Sequence, residues 1–431
     1  MFSALPSQKF EALVILMCAL SGNPTDPDIP ATGKTTLDVW YHSGQEMERE
    51  VIQEQVIRFN DSQNRVEVDL TFIPERDYNA QIQAAAMAND LPDVLEFDGP
   101  YLYNYVWQNH LQPLDDYLSQ DLKENLLPSI LAQGTYQGKL YSVATFDSGL
   151  GLYVNRGKLE EVGARIPTSP DNAWTIEEFN TILAQLAKND PDGAVLDLKL
   201  NYGGEWFSYA FSPILQSAGA DLINRETLTA TGTLNSEASV NALEYVQNWV
   251  AQELVDYNTD DAAFTTGRVA ISWVGHWEYG RYSSALGDKL AIVPLPDFGR
   301  GSKTGQGSWN WGVTKGSDSP EAATEFLSFL LKTDEVLAMT DGNGAVPATR
   351  DAIEKSSLYG PEGPLRLFSE QLLEGYSVPR PRTPAYPIIS STFQDSFLKI
   401  INKAPIQKTL DRAAKLIDED IEDTGYRTIR R

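Results

Sequence analysis

From residue 37 onward the chain switches repeatedly between two hydrophobic periods, and that switching limits the folds open to it. Leu37-Asp38-Val39-Trp40-Tyr41 is a β run, and Ile52, Val56 and Phe59 then recur at helical intervals. Val66, Val68, Leu70 and Phe72 alternate as a strand, Tyr78 to Ala88 reads as a helix, and Val94 to Phe97 is a short buried strand. Strand, helix, strand, helix, strand is the pattern of a mainly parallel sheet with helices on both faces. Ligands of such sheets bind beyond the carboxyl ends of the strands. That rule selects His42, Ser43, Gly44, Gln45 and the adjoining Glu46, then Asp98 and Pro100, and further on Phe146 and Asp147, as ligand-binding candidates. Ser43 and Glu46 stand at capping-box spacing, which predicts a helix start there. At 431 residues the chain exceeds the size at which one hydrophobic core usually divides, so two domains are expected.

Residues 134–179 carry a second ordered series. A turn at Gln137-Gly138 feeds an apolar strand, the chain crosses through Phe146-Asp147-Ser148-Gly149, a strand follows over Leu150 to Val154, and a helix opens at Thr175. Thr175 and Glu178 form a capping box. This series resembles the middle of the family 1 extracellular solute-binding proteins, the sugar receptors of ABC importers, where it is the first strand linking two lobes. The segment from Phe264 to Trp273 resembles the helix end and strand that flank that family's cleft, delivering Trp273, Gly275, His276 and Trp277 to the next loop. Gly307-Ser308-Trp309-Asn310-Trp311-Gly312 resembles its Gly-rich stretch before a return strand, with a helix over Pro320 to Leu331. Gly344 to Arg350 resembles the turn where the chain re-enters the other lobe.

The resemblance covers about nine tenths of the chain. It implies an α/β, periplasmic-binding-protein-like fold, with two lobes of mainly parallel sheet joined by a hinge and a ligand cleft between them. Lobe one would comprise residues 35–146 plus 296–346 and lobe two residues 147–295 plus 347–431, after a leader and tether over 1–34. It also implies a monomeric, non-catalytic receptor that passes its ligand to the permease subunits of an importer.

Asp and Glu number 60 against 34 Lys and Arg, a net charge of −26, which repels phosphate backbones and argues against nucleic-acid binding. Cys18 is the only cysteine, so no intrachain disulfide can form. Ile15-Leu16-Met17-Cys18 resembles a bacterial lipobox, with Leu16 and Met17 where small residues are expected. A lipidated Cys18 or a cleaved signal peptide would place the protein outside the cytoplasm, periplasmic or membrane-tethered. The alternative is an ordinary terminus with an idle thiol.

Sugars set the chemistry expected of the cleft. Pyranose C–H faces pack on aromatic rings, and hydroxyls both donate and accept hydrogen bonds. Trp206, Trp273, Trp277, Trp309 and Trp311 are the candidate platforms, against core packing for each. Alternation points Trp309 and Trp311 the same way, so both are cleft walls or both core. Asp98 and Asp147 follow buried strands and need partners, which ligand hydroxyls could supply. Arg350, Arg382 and Tyr386 stand in loops resembling positions that reach the cleft. His42 and His276 suit hydrogen bonding better than metal binding, and three histidines with one cysteine cannot build a usual zinc site. Gly33-Lys34-Thr35 lacks the upstream glycine of a P-loop, the 188–199 stretch lacks calcium ligands at its ends, and no Gly-x-Ser-x-Gly elbow occurs. No metal or cofactor is therefore expected.

The expected ligand is a mono-, di- or oligosaccharide, or a glycosylated polyol used as an osmolyte: glucosylglycerol, trehalose, sucrose or maltose. Cleft carboxylates argue against an anion and Arg350 against a polyamine. The alternative class is a glycoside-processing enzyme that uses Asp98 and Asp147 as its carboxylate pair.

Overall fold

The computed structural model describes residues 33–426, apart from Ser308 and Pro361. Cys18 and nearly all of the expected leader and tether lie outside the described residues. Thr35–Arg431 form one compact unit.

Two five-stranded sheets organise it. The first runs, edge to edge, Val66–Ile73, Thr35–His42, Val94–Asp98, Trp309–Val313 and Ser142–Val143. The second runs Val255–Asp256, Leu196–Asp197, Ile271–Gly275, Leu150–Asn155 and Leu290–Val293. In each sheet the three strands from one edge pair in parallel, and the remaining two pairings are antiparallel. The sheets are thus mixed where mainly parallel pairing was expected. The expected βαβ run holds for the first three strands of the chain, and a later strand, Trp309–Val313, returns to complete their sheet.

Short pairings join the sheets' connections. Phe146–Asp147 pairs antiparallel with Val346–Pro347, a bridge links Ser148 to Gly307, and Thr304–Gln306 runs parallel to Ser377–Pro379. Asp147 is fully buried in the first of these pairs, accepting from Gln133 Nε2 at 3.1 Å and from the Ser148 N–H at 2.8 Å. Burial pushes its carboxyl up to about 6, against the pull of those donors. The C-terminal helices Tyr386–Ile401 and Ile406–Asp423 pack on each other and on the helix Glu237–Ala251.

Local chemistry explains most element ends. Thr175 caps the helix Ile176–Asn189, and both halves of the capping box with Glu178 are made. The Ser43/Glu46 box is not. The helix Glu46–Ser62 is capped two residues later, by Gln45 with Glu48. Gly44, at φ +49°, sets that offset, because it turns the chain between the strand ending at His42 and the helix. A Cβ on Gly44 would lie 2.5 Å from Glu48 Oε2 and 2.9 Å from His42 Nε2.

Candidate functional site

A cavity of about 310 Å³ opens where the carboxyl ends of strands from both sheets converge. The first sheet contributes His42, Gly44, Gln45 and Asp98 from strand ends, with Trp309 from the start of its return strand. The second contributes His276 and Trp277 after Ile271–Gly275, and the loop Asn201 to Glu205 leading into the helix Trp206–Ser217. Phe146 and Ser148 line it from the connecting segment.

Its aromatic groups form two walls. On one side Trp309 stacks on the His42 ring, with centroids 3.9 Å apart and planes 6° from parallel, and Tyr78 meets Trp309 edge-on at 5.3 Å. On the other, Trp206 meets Trp277 edge-on at 6.0 Å and Tyr202 at 5.2 Å, while Trp277 Nε1 donates to the Tyr202 hydroxyl at 3.4 Å. Indole rings lining a cavity suit the C–H faces of a ring ligand.

The two histidines differ in charge. Burial resists a proton on His42, but Glu96, 2.6 Å from Nδ1, outweighs it and raises the imidazole to about 9. The result is an imidazolium stacked on an indole, a favourable cation–π arrangement. His276 has no carboxylate within hydrogen-bond reach, and burial lowers it to about 4, so its neutral ring donates Nδ1–H to the Asn343 carbonyl at 2.9 Å.

The floor is an ion cluster centred on Arg380. Its guanidinium donates to Asp98 through both terminal nitrogens, at 2.9 and 2.6 Å, and to Glu205 Oε1 at 2.7 Å. Glu205 also accepts from the hydroxyls of Tyr386, Ser390 at 2.6 Å and Tyr101 at 3.3 Å. Burial raises Glu205 to about 7, with Asp98 adding to the rise and Arg380 opposing it.

Behind the wall the buried Lys199 ammonium is held 2.7 Å from Asp261 and 3.3 Å from Glu278. Glu278 in turn accepts from Tyr202 at 3.0 Å and from Arg281 at 2.7 and 2.8 Å. This network anchors the Asn201 to Glu205 loop to the turn carrying Trp277.

Of the residues selected from sequence, nine line the cavity: His42, Gly44, Gln45, Asp98, Phe146, Trp206, His276, Trp277 and Trp309. The others stand elsewhere. Trp273 is 0 % exposed, in mid-strand opposite Leu152 and against Phe211. Trp311 shares a strand face with Trp309 but lies two residues deeper, opposite Glu96 and stacked on Tyr41 at 5.5 Å. The pair therefore splits, one wall and one core, because Trp309 is the first residue of the strand, paired with Asp98 at the sheet's end, and Trp311 lies inside the sheet. Gly275 is buried beneath Trp277, whose ring atoms would meet an added Cβ at 2.2 Å. Ser43 and Glu46 do not line the cavity, Glu46 being exposed at the helix start. Asp147 is held in the connecting strand pair, so Asp98 and Asp147 do not face one ligand. Arg350 is exposed and donates to the Glu124 carbonyl at 3.3 Å, which removes the argument it offered against a polyamine. Pro100 and Arg382 share with Arg380 a separate cavity of about 20 Å³. Tyr386 is buried, bonded to Glu205.

Sequence reasoning missed Glu48, Tyr202, Glu205, Tyr209 and Arg380. Only Glu48 had a local signal, as the partner of Gln45 in the true capping box. Among the described residues no group of three His, Cys, Asp or Glu side chains is arranged for a metal ion, and no helix is long and apolar enough to cross a membrane.

Solved structures share this architecture. The GacH receptor of Streptomyces glaucescens, determined unliganded and with acarbose, superposes with a TM-score of 0.77 at 22% identity, over 90% of this chain and 99% of that one. The cyclic α-maltosyl-1,6-maltose binding protein of Arthrobacter globiformis gives 0.71 at 23% identity, over 91% and 100%. These establish a periplasmic-binding-protein-like fold. In sequence, the maltotriose-binding protein of Pyrococcus abyssi is 23% identical over 63% of this chain, and the match spans 57% of that relative's length. Residues 54–359, well over half of the chain, match the bacterial extracellular solute-binding proteins, and the chain belongs to that family.

Proposed function

We propose that this protein is the sugar-capturing receptor of an ABC importer, taking a small saccharide into the cleft and releasing it unaltered to permease subunits. The observation that carries this is the pair of aromatic walls, Trp309 on His42 and Trp206 with Trp277, facing one cavity whose floor holds a carboxylate cluster. Its volume is at the lower end of the ~300–1,000 Å³ usual for small-molecule sites, which favours one or two rings over a long oligosaccharide. Receptors for maltotriose and for melibiose, raffinose and stachyose among its relatives support a glycoside ligand. Glucosylglycerol, trehalose, sucrose and maltose are the candidates. The two sheets with their covering helices act as lobes, and the strand pair Phe146–Asp147 with Val346–Pro347 as part of the hinge. Anchoring through a lipidated Cys18 and action as a monomer belong to the same reading. A carboxylate pair for glycoside hydrolysis loses Asp147 to that hinge.

Thermal melting with maltose, maltotriose, trehalose, sucrose and glucosylglycerol tests the proposal, because a ligand bound only by the folded state raises Tm by mass action. A rise with at least one, followed by recovery of the intact sugar in one-to-one amount, is the expected result. No shift with any of them, or recovery of cleaved sugar, rejects it.

A further inference from the structure

Among the described residues lining the cavity only two carry positive charge, His42 and Arg380, and each is already matched by protein carboxylates. His42 Nδ1 is 2.6 Å from Glu96, and its Nε2 lies 3.9 Å from Glu48. Arg380 has both terminal nitrogens committed to Asp98 and Glu205, its side chain is 3 % exposed, and the guanidinium carbon lies 5.1 Å from the Tyr209 ring. A guanidinium free at a cavity wall is the natural receptor for phosphate or carboxylate, through two parallel N–H donors. Here that fork faces Asp98.

The two carboxylates differ in what they have left to give. Each Asp98 oxygen takes one bond from Arg380 and keeps capacity for a ligand hydroxyl. Glu205 is saturated: one oxygen takes Arg380 and Tyr386, the other Ser390 and Tyr101. Glu205 therefore acts on Arg380, from the opposite half of the cleft to Asp98, and leaves the ligand to others.

We infer that Asp98 and Glu205 set the charge class of the ligand: by holding the Arg380 guanidinium between them they open the cleft to neutral saccharides and close it to phosphorylated or carboxylated ones. The saccharide half rests on the receptor reading; the exclusion of anions does not. Glu205 is the positioning residue in this arrangement, and Asp98 both positions Arg380 and accepts from the sugar.

Inorganic phosphate is the probe, titrated calorimetrically into full-length wild type, Glu205→Gln and the double variant Asp98→Asn/Glu205→Gln at fixed ionic strength. Glutamine keeps the shape of Glu205, and the Ser390 and Tyr101 hydroxyls can turn to accept from its amide. Wild type is expected to show no binding up to about 10 mM phosphate, and the double variant to bind at least roughly tenfold more tightly than that limit. Adding Arg380→Met should abolish the gain. Glu205→Gln alone, with Asp98 still in place, should show a smaller gain, and it decides the matter if the double variant fails to fold. Phosphate binding by wild type that Arg380→Met removes would overturn the inference, as would a folded variant set with no gain. Sugar titrations run alongside separate the two readings: a neutral sugar bound without any phosphate gain sinks this inference alone, and a phosphate gain in a protein that binds no sugar sinks the receptor reading alone.

Discussion

Trp309 and Trp273 are both indoles at strand ends or centres of the same molecule, yet they answer to different physics. Trp309 is half-buried at the cavity wall and Trp273 fully buried between sheet and helix. Trp309→Ala should weaken saccharide binding at least roughly tenfold, the equivalent of one lost stacking face. Trp273→Ala and Trp311→Ala should instead cost about 3–5 kcal/mol of stability, as large-to-small changes in a packed core do. Calorimetry of binding and urea unfolding on the same three variants separate the effects. His42 yields a pH prediction. Its folded pKa, about 9, is raised above the ordinary value, so its contribution is complete below about 6.5 and is lost as pH rises through 9. Wild-type stability should fall over that window by on the order of 1–3 kcal/mol more than in His42→Gln/Glu96→Gln, where the buried pair is neutral throughout. Unfolding curves at intervals from pH 6 to 10 measure it. At this scale the sequence was least readable. Arg380 organises the cleft floor through partners 282 and 175 positions away, and no local spacing announces such a pair. Asp98, by contrast, was found because a strand end in a βαβ run marks a ligand site whatever else binds there.

Elements were more legible, since their causes are local. Tyr78–Ala88 and Val94–Asp98 fall where hydrophobic period predicts them, and Thr175 with Glu178 starts a helix as its spacing requires. The Ser43/Glu46 spacing misled because a left-handed glycine between them delays the helix, and φ at Gly44 is not written in side-chain chemistry. Gly275 shows the same limit from another side. It was selected as a ligand residue, and the structure puts it under the Trp277 ring as the surface that ring rests on. Gly275→Ala should therefore displace Trp277 and reduce saccharide affinity at least about fivefold, while the strand, at extended φ there, stays formed. Titration of the variant together with its far-ultraviolet circular dichroism checks both halves of that statement.

At the scale of the molecule, two mixed sheets and a cleft between strand ends predict closure about the connecting strands when a ligand bridges the walls. Small-angle scattering should record a contraction on adding a saccharide that raises Tm, and none with Trp309→Ala at the same sugar concentration. The overall division into two sheets was legible from chain length and the family resemblance, since local alternation of strand and helix was read only over residues 37–97. The mixed pairing was not, because strand direction in a sheet depends on which distant segment docks beside it. That distance matters when the protein is made. The strand Trp309–Val313 lies between Val94–Asp98 and Ser142–Val143, so the half begun at residue 35 cannot be finished until residue 313 has left the ribosome. A nascent chain with an interior strand of that sheet still untranslated remains threadable, the form in which a polypeptide passes through a narrow secretory channel.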